Sequence, residues 1–379
     1  MSKIHITLVG GQPMPVYNGI RYACPDKVIF VYSKETENSL ELIKKEFPNI
    51  EFVETSPLSS SKLDKILERA QKYRELYKND DVTVNISGGT KPWTYYFAKE
   101  FENIPNAEIF YIDQNNKIGE LRTRKINELQ SDPLVQFRLC GNPLKYYKNY
   151  NEYTDEDFEQ INKIQNIRRV NYDVFRKLTN LDKKKDFQLN NNQVGKFVDG
   201  KSYLEWDKSN NFIKISIPKK DKDIEETFSS ENIFEILFNT SWFELKVARI
   251  ISSWDKVKNV YLNCKFPPHK QQSRNPAEFP KNEIDIIADI GSKLLFVECK
   301  TSIASSNDID KFKNAVRNYG GQSAKALFVV ENKIGIKEQE KMKESKIIPF
   351  SFQEMKSVNE NIQEELIKIL DKVFYQLNE

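Results

Sequence analysis

Residues 282–301 read NEIDIIADIGSKLLFVECKT, and this stretch decides how the C-terminal part of the chain is built. Side chains alternate faces along a β-strand. Leu294, Phe296, Glu298 and Lys300 therefore share one face, which begins apolar and ends in a carboxylate and an ammonium. On the preceding run, Ile284, Ile286, Ala288 and Ile290 form the apolar set, and Asp285 lies on the other face. A tight turn near Gly291 and Ser292 makes the two strands antiparallel neighbours and can bring Asp285 close to the Glu298 end. Charges taken out of water need a partner, a metal or a solvent-lined cleft. Two carboxylates supply hard oxygen donors, which suit Mg2+ or Mn2+. Such an ion polarises a phosphodiester and acidifies a bound water. Lys300 can orient that water or offset the charge that develops on the phosphate. Glu244, on a helix predicted over 241–254, can complete the metal shell or fix a second ion. The expected metal ligands are thus Asp285, Glu298 and Glu244, and Lys300 joins them as a catalytic residue. An ExK triplet alone fits an ordinary strand-end salt bridge equally well, and a helical glutamate fits a solvated surface. The spacing from Asp285, the apolar alternation and the upstream glutamate together favour a site.

Around this stretch the pattern predicts a helix, or two in succession, over 232–254 and strands over 257–264, 283–289 and 293–300. A helix over 309–319, a strand over 326–330 and helices over 337–344 and 363–377 follow. The intervening loop 265–281 reads KFPPHKQQSRNPAEFPK. Its Lys265, His269, Lys270 and Arg274 either follow a phosphate backbone or belong to a solvated connection. Asp285 followed by Glu298-Cys299-Lys300 resembles the D…ExK core of the PD-(D/E)xK nuclease superfamily. Glu244, in the context Trp242-Phe243-Glu244-Leu245, occupies the place of that superfamily's helical glutamate. Ile284 stands where the superfamily usually has proline. The resemblance covers about 232–379 and implies a restriction-endonuclease-like α/β domain.

The N-terminal part has a different rhythm. Strand runs at 4–9, 27–32, 50–55 and 82–86 alternate with helix patterns at 39–47, 61–77 and 92–101. That alternation implies a parallel, doubly wound sheet. Runs at 108–112 and 119–124 are expected to pair across a turn at 115–116. Two loops leave strands at the carboxyl edge, Gly10-Gly11-Gln12-Pro13 and Ser87-Gly88-Gly89-Thr90-Lys91, the second directly before a helix. Ligands of open α/β sheets bind at that edge. Glycine amides and a helix N-terminus favour phosphate, and Lys91 adds positive charge. Neither a Walker loop nor a dinucleotide fingerprint is present.

The run Asn85-Ile86-Ser87-Gly88-Gly89-Thr90-Lys91, with Val9-Gly10-Gly11-Gln12 and Tyr32-Ser33-Lys34, resembles the CARF domain. CARF is the CRISPR-associated Rossmann-like sensor of cyclic oligoadenylates, and the resemblance covers about 1–128. It implies ligand contacts from Gly10, Gln12, Ser33, Ser87, Gly88, Gly89, Thr90 and Lys91, with Tyr111 and Asp113 as further candidates. The two halves together resemble the CARF-fused PD-(D/E)xK ancillary nucleases of type III CRISPR systems. That likeness implies a homodimer with cyclic tetra-adenylate bound across the two sensor domains. It also implies metal-dependent cleavage of single-stranded RNA and DNA, or nicking of duplex DNA.

The length of 379 residues suggests two domains. The expected layout is a sensor at 1–145, a connector at 146–225 with a small β-element, and a nuclease domain at 226–379. No run approaches the roughly 20 apolar residues that cross a bilayer, and the first residues lack a signal-peptide pattern. The four cysteines are widely spaced and form no CxxC pair. A reducing cytoplasm and no membrane partner are the expectation. A net charge of +3 means that any basic nucleic-acid surface must be local. Two other readings of the same residues are a stand-alone restriction or repair nuclease and a non-enzymatic, nucleotide-sensing regulator. The second would need a nucleic-acid reading head such as a helix-turn-helix, and no persuasive one is visible.

Overall fold

The computed structural model describes every residue except 1, 114–115, 130–131, 220–222, 267–281, 292, 304, 321–323, 357–360 and 376–379. His269, Lys270 and Arg274 of the expected phosphate loop, Ser292 of the expected hairpin turn and residue 115 of the other turn lie outside the described residues. The chain divides into two compact units.

The first unit consists mainly of Met1–Lys145. Its strands are β1 (Lys3–Leu8), β2 (Lys27–Val31), β3 (Glu51–Val53), β4 (Asp81–Asn85), β5 (Ala107–Ile112), β6 (Lys117–Glu120) and β7 (Ile126–Glu128). They form one sheet in the order β3-β2-β1-β4-β5-β6-β7. The first five are parallel, β6 runs antiparallel to β5, and β7 runs antiparallel to β6. Helices cover both faces, as a parallel sheet requires. On one face Ile66, Ala70, Tyr73, Trp93, Phe97 and Phe101 pack against Ile4, Ile6, Leu8, Val82 and Val84. On the other, Val16, Tyr17, Ile20, Leu40 and Ile43 pack against Val9, Val28 and Phe30. The helix after β1 (Met14–Ala23) and the helix after β4 (Lys91–Phe101) thus belong to opposite layers, although β1 and β4 are paired neighbours. Their connections part at this point, which is the topological switch of a doubly wound sheet.

The second unit consists mainly of Tyr146–Lys265 and Leu294–Glu379. Its strands are β8 (Tyr146–Asn149), β9 (Val194–Asp199), β10 (Ser202–Asp207), β11 (Phe212–Ile217), β12 (Ile224–Ser229), β13 (Asn259–Phe266), β14 (Asn282–Asp289), β15 (Leu294–Lys300), β16 (Lys325–Val330) and β17 (Ile347–Ser351). A six-stranded sheet has the order β17-β16-β15-β14-β13-β8, and a four-stranded antiparallel sheet the order β12-β11-β10-β9. β14 and β15 are antiparallel, while β16 and β17 continue parallel to β15.

The stretch 146–225 corrects the expectation of a connector. Phe158, Ile161, Ile164, Phe175, Trp206, Ile213 and Ile215 share one buried core with Trp242, Leu245, Ile286, Val297 and Leu366. Its polar composition hides this, because the apolar residues are sparse but fall on one side of the helices Asp155–Val170 and Tyr172–Thr179 and of β10 and β11. Among the described residues no helix is long and apolar enough to cross a membrane.

Candidate functional site

The β14–β15 register pairs Ile286 with Val297 and Ile287 with Phe296. One step further along the same register, Asp285 stands opposite Glu298. Directly opposed residues of an antiparallel pair project to the same face with Cβ atoms about 5 Å apart. The apolar side chains of both strands are buried, and the charged residues emerge only where the hairpin reaches its open end. There Lys300 Nζ lies 2.5 Å from Glu298 Oε1 and 3.7 Å from Asp285 Oδ2. The Cys299 amide donates to Asp285 Oδ2 at 2.7 Å, which fixes that carboxylate. The Asp285 and Glu298 side chains are only 13% and 14% exposed. Glu244 lies in the first turn of the helix Ser241–Ser252, which packs against β14 and β15. The sequence-derived set Asp285, Glu298, Lys300 and Glu244 is therefore one electrostatic group.

Its protonation follows from crowding. Burial, and then the charge of Asp285, push the Glu298 carboxyl up to about 8. Burial and then Asp285 also raise Glu244 well above the usual carboxylate range. Burial raises Asp285, against the pull of Lys300 and the Cys299 amide. Burial alone would lower Lys300, but Asp285 and Glu298 outweigh it and hold the ammonium above its ordinary value. Three carboxylates thus face one ammonium, and the group titrates as a unit that retains protons. Among the described residues no three His, Cys, Asp or Glu side chains are already gathered into a cage for a metal. In this arrangement Lys300 supplies the positive charge between Asp285 and Glu298.

Two acids not anticipated from the sequence add to the negative field. Glu283 acts on Glu244 and Asp285, and Asp308 acts on Glu298. Lys265, expected in the basic loop, lies in β13 instead and pairs with Glu283 at 3.3 Å. The alternation that exposes Asp285 also exposes Glu283, so the first of these acids was visible as a strand-end charge.

In the first unit the two glycine loops meet. A Cβ on Gly10 would lie 3.0 Å from the Gly89 nitrogen, and one on Gly88 would lie 2.2 Å from the Leu8 carbonyl oxygen. Gly89 has φ +76°, and a Cβ there would strike the Trp93 ring at 2.7 Å. Glycine is needed at Gly88 and Gly89 for these approaches, and Gly10 makes a tight contact with the same turn. Thr90 is the N-cap of the helix Lys91–Phe101 but makes no side-chain capping bond; its hydroxyl reaches the Ser60 carbonyl at 3.4 Å. Lys91 and Gln12 are exposed at the same sheet edge. Ser33 follows β2, one strand further out, and its amide donates to Thr36 Oγ1 at 3.1 Å. Tyr111 is 47% exposed, while the Asp113 carboxylate accepts from the Lys117 amide at 2.9 Å.

Ser87 has a role other than offering a free hydroxyl. It donates to Asn85 Oδ1 at 2.5 Å and accepts from the Ile112 amide at 2.7 Å. Asn85 opens the run that carries the resemblance, but the sequence assigns it no role of its own. It is fully buried and donates to the Pro15 carbonyl at 3.0 Å and to Thr7 Oγ1 at 3.2 Å. One carboxamide thereby ties both switch-point connections together. An asparagine ending a valine-rich strand is the only trace of this in the sequence.

Residues 4–136 match the family model of the Card1 CARF domain. No curated protein matches the chain. Among solved structures, Can2 from Sulfobacillus thermosulfidooxidans in complex with cyclic tetra-adenylate aligns with a TM-score of 0.62 at 18% identity, covering 97% of each chain. Protein VC1899 from Vibrio cholerae aligns with a TM-score of 0.67 at 14% identity, covering 96% of this chain and 97% of that one. A type III CRISPR defence DNA nuclease activated by cyclic oligoadenylate gives a TM-score of 0.55 at 15% identity, over 88% of this chain and 46% of the other. At these identities the structural likeness establishes a shared fold. The chain is accordingly a mixed α/β protein that carries a Rossmann-like CARF domain near its N-terminus.

Proposed function

We propose that this protein is a metal-dependent nuclease of PD-(D/E)xK type, switched on by a cyclic oligoadenylate in type III CRISPR antiviral defence. The observation that carries the reading is the convergence of Asp285, Glu298 and Lys300 at one hairpin end, with Glu244 in their electrostatic reach. The donor set fits Mg2+ or Mn2+, because hard carboxylate oxygens crowded enough to hold protons gain from a divalent cation. Asp285 and Glu298 would hold the ion, with Glu244 completing its shell. When bound, the ion supplies Lewis-acid activation and a nucleophilic water. Lys300 remains protonated and stabilises the charge that develops on the phosphate during hydrolysis. The buried aliphatic neighbours keep the polar group surrounded by protein, which strengthens each of these interactions.

The ligand-binding half of the proposal rests on the switch point. The meeting of the Gly10 and Gly88 backbones and the uncapped helix start at Lys91 offer amides and positive charge to phosphates. Gln12, Ser33, Gly89 and Thr90 border the same edge, and Ser87 holds it in shape. The sensor takes 1–145, and cyclic tetra-adenylate is the proposed ligand, in line with the complex solved for Can2. A ligand with two-fold symmetry fits an isologous homodimer. Binding must favour the cleavage-competent state over the resting one for the switch to work. The four free cysteines fit a cytoplasmic protein.

The test mixes purified protein with labelled RNA, single-stranded DNA and supercoiled plasmid. Mg2+ or Mn2+ is supplied, with and without cyclic tri-, tetra- and hexa-adenylate. Metal-dependent cutting that appears only with one cyclic species is the expected result. Cutting at full rate without any of them would favour a stand-alone nuclease, and gel shifts without cutting a regulator.

A pH experiment probes the metal set separately. Glu298 has its folded pKa raised from 4.5 to about 8, so the folded state binds more protons than the unfolded one across that interval. In chelator, stability contributed by this protonation is present in full below the lower value and is lost as pH rises through the upper one. The melting temperature should therefore fall from pH 5 to about pH 8, and Glu298→Gln should flatten the slope. Mn2+ replaces the protons, so it should raise the melting temperature more near pH 8 than near pH 6. Equal metal-induced shifts at both pH values would count against these ligands.

A further inference from the structure

The two connections of the switch point are joined a second time by a pair of carboxamides that the reading above does not use. Asn18 lies on the helix Met14–Ala23, about one turn after Pro15, whose carbonyl accepts from Asn85 at 3.0 Å. Asn116 lies in the turn after β5, close to Ile112, whose amide donates to Ser87. Asn18 Nδ2 donates to Asn116 Oδ1 at 3.2 Å, and Asn116 Nδ2 donates to the Gly291 carbonyl at 3.2 Å. Asn116 has φ +58°, a left-handed conformation that asparagine tolerates better than most residues. Asn18 is fully buried among Val16, Tyr17 and Ile20 of its helix, and among the described residues its Oδ1 meets no donor. A leucine would pack there without that cost, so core stability does not account for the asparagine. The turn Gly291–Lys293 joins β14 to β15 and belongs to the first unit. Only Ile290 separates Gly291 from the end of β14.

We propose that Asn18 and Asn116 are positioning residues that pass occupancy of the sensor edge to the β14–β15 hairpin. Their role rests on the ligand-switched nuclease proposed above. Asn116 accepts with its oxygen and donates with its nitrogen, so it keeps both bonds only while Asn18 and Gly291 hold their spacing. Apolar packing alone would let the turn slide, whereas a hydrogen bond weakens steeply outside a narrow range of distance and angle. Asn85 and Ser87 brace the start of the Met14–Ala23 helix and the end of β5, which are the two supports of this relay. A ligand bound to the Gly10 and Gly88 loops moves these supports together, and Asn116 draws the turn with them. Asp289 pairs with Leu294 at the closed end of the hairpin, in the register that sets Asp285 opposite Glu298 at its open end. The strands are rigid elements, so a displacement delivered at Gly291 reaches that opposition.

The experiment follows hydrogen–deuterium exchange of full-length protein in chelator, with and without cyclic tetra-adenylate, in peptides covering 282–300. The ligand should change exchange there in the wild-type protein. Asn116→Asp keeps the left-handed backbone and the acceptor for Asn18 but has no proton for the Gly291 carbonyl. Asn18→Leu removes the first bond and places an apolar group of the same branching in the core, so it should melt no lower than wild type. Both variants should bind the ligand within about threefold of wild type in calorimetry, yet show no ligand-dependent change over 282–300. With Mn2+, their stimulation of cleavage by the ligand should fall roughly tenfold, the size of an ordinary coupling between sites. Asn116→Gly also permits the left-handed backbone and should behave like Asn116→Asp. Wild-type behaviour in Asn116→Gly would assign the signal to the backbone and overturn the relay. So would a wild-type protein that does not bind the ligand or shows no ligand-dependent change over 282–300. Ligand-dependent exchange that needs Asn116, in a protein that never cuts, would uphold the relay and reject the nuclease reading. Cleavage switched by the ligand to the same extent in wild type and every variant would do the reverse.

Discussion

Lys300→Ala is expected to reduce metal-dependent cleavage by roughly 10²–10³-fold while leaving cyclic-oligoadenylate binding intact. Lys300 Nζ touches both Glu298 and Asp285, and the carboxylates keep it charged. Its contribution grows as charge develops on the phosphate, so the loss should fall on kcat more than on KM. The same substitution leaves three carboxylates without their ammonium. In chelator they must take up protons or repel one another, so the variant should fall further below wild type in stability at pH 8 than at pH 6. Adding Mn2+ should restore its melting temperature without restoring turnover. That divergence separates a catalytic lysine from one that only holds the carboxylates in place. Full turnover in Lys300→Ala, or in Asp285→Ala, would remove the site assignment.

Gly88→Ala should have the largest effect on the sensor half. The added methyl would lie 2.2 Å from the Leu8 carbonyl oxygen and 2.9 Å from the Gly10 nitrogen, and both of these are backbone atoms. Neither can swing away as a flexible side chain would, so the connections after β1 and β4 must separate. Overpacking of this kind costs about 1–3 kcal/mol, readable as a drop in the unfolding midpoint. Cyclic tetra-adenylate affinity, measured by calorimetry, should fall by more than about tenfold, because the amides presented at both loops move together. The carboxylate group in the other unit keeps its residues. High activator concentration should therefore recover part of the cleavage in Gly88→Ala but none in Lys300→Ala. Retained affinity in Gly88→Ala would show that the ligand does not use this meeting of loops.

The central strands were legible in the sequence, and the peripheral ones largely were not. β1, β2, β4, β14, β15 and β16 are apolar runs that the period-two rule finds. β8, β9, β12 and β17 escaped it, and all four are edge strands. An edge strand pairs on one side only and buries fewer side chains, so its pattern is weak. β9 buries Phe197 alone, and β17 contains Pro349, which a central strand would exclude. The carboxylate group could be foreseen because strand parity and hairpin pairing are local properties. The Arg168–Glu331 pair could not, since its residues come from separate elements and meet only through the tertiary fold. Ser87 and Asn85 illustrate a further limit. Sequence proposes a polar residue at a loop, but only packing decides whether its hydrogen bonds face a ligand or the loop's own backbone.

The opposition of Asp285 and Glu298 depends on counting residues rather than on which residues connect them. Shifting one strand of an antiparallel pair by a single residue turns every side chain on it to the other face. The short connection from β14 to β15 therefore acts as a length gauge for the whole carboxylate group. A one-residue slip of β14 would send Asp285 into the apolar layer and bring Ile286 out in its place.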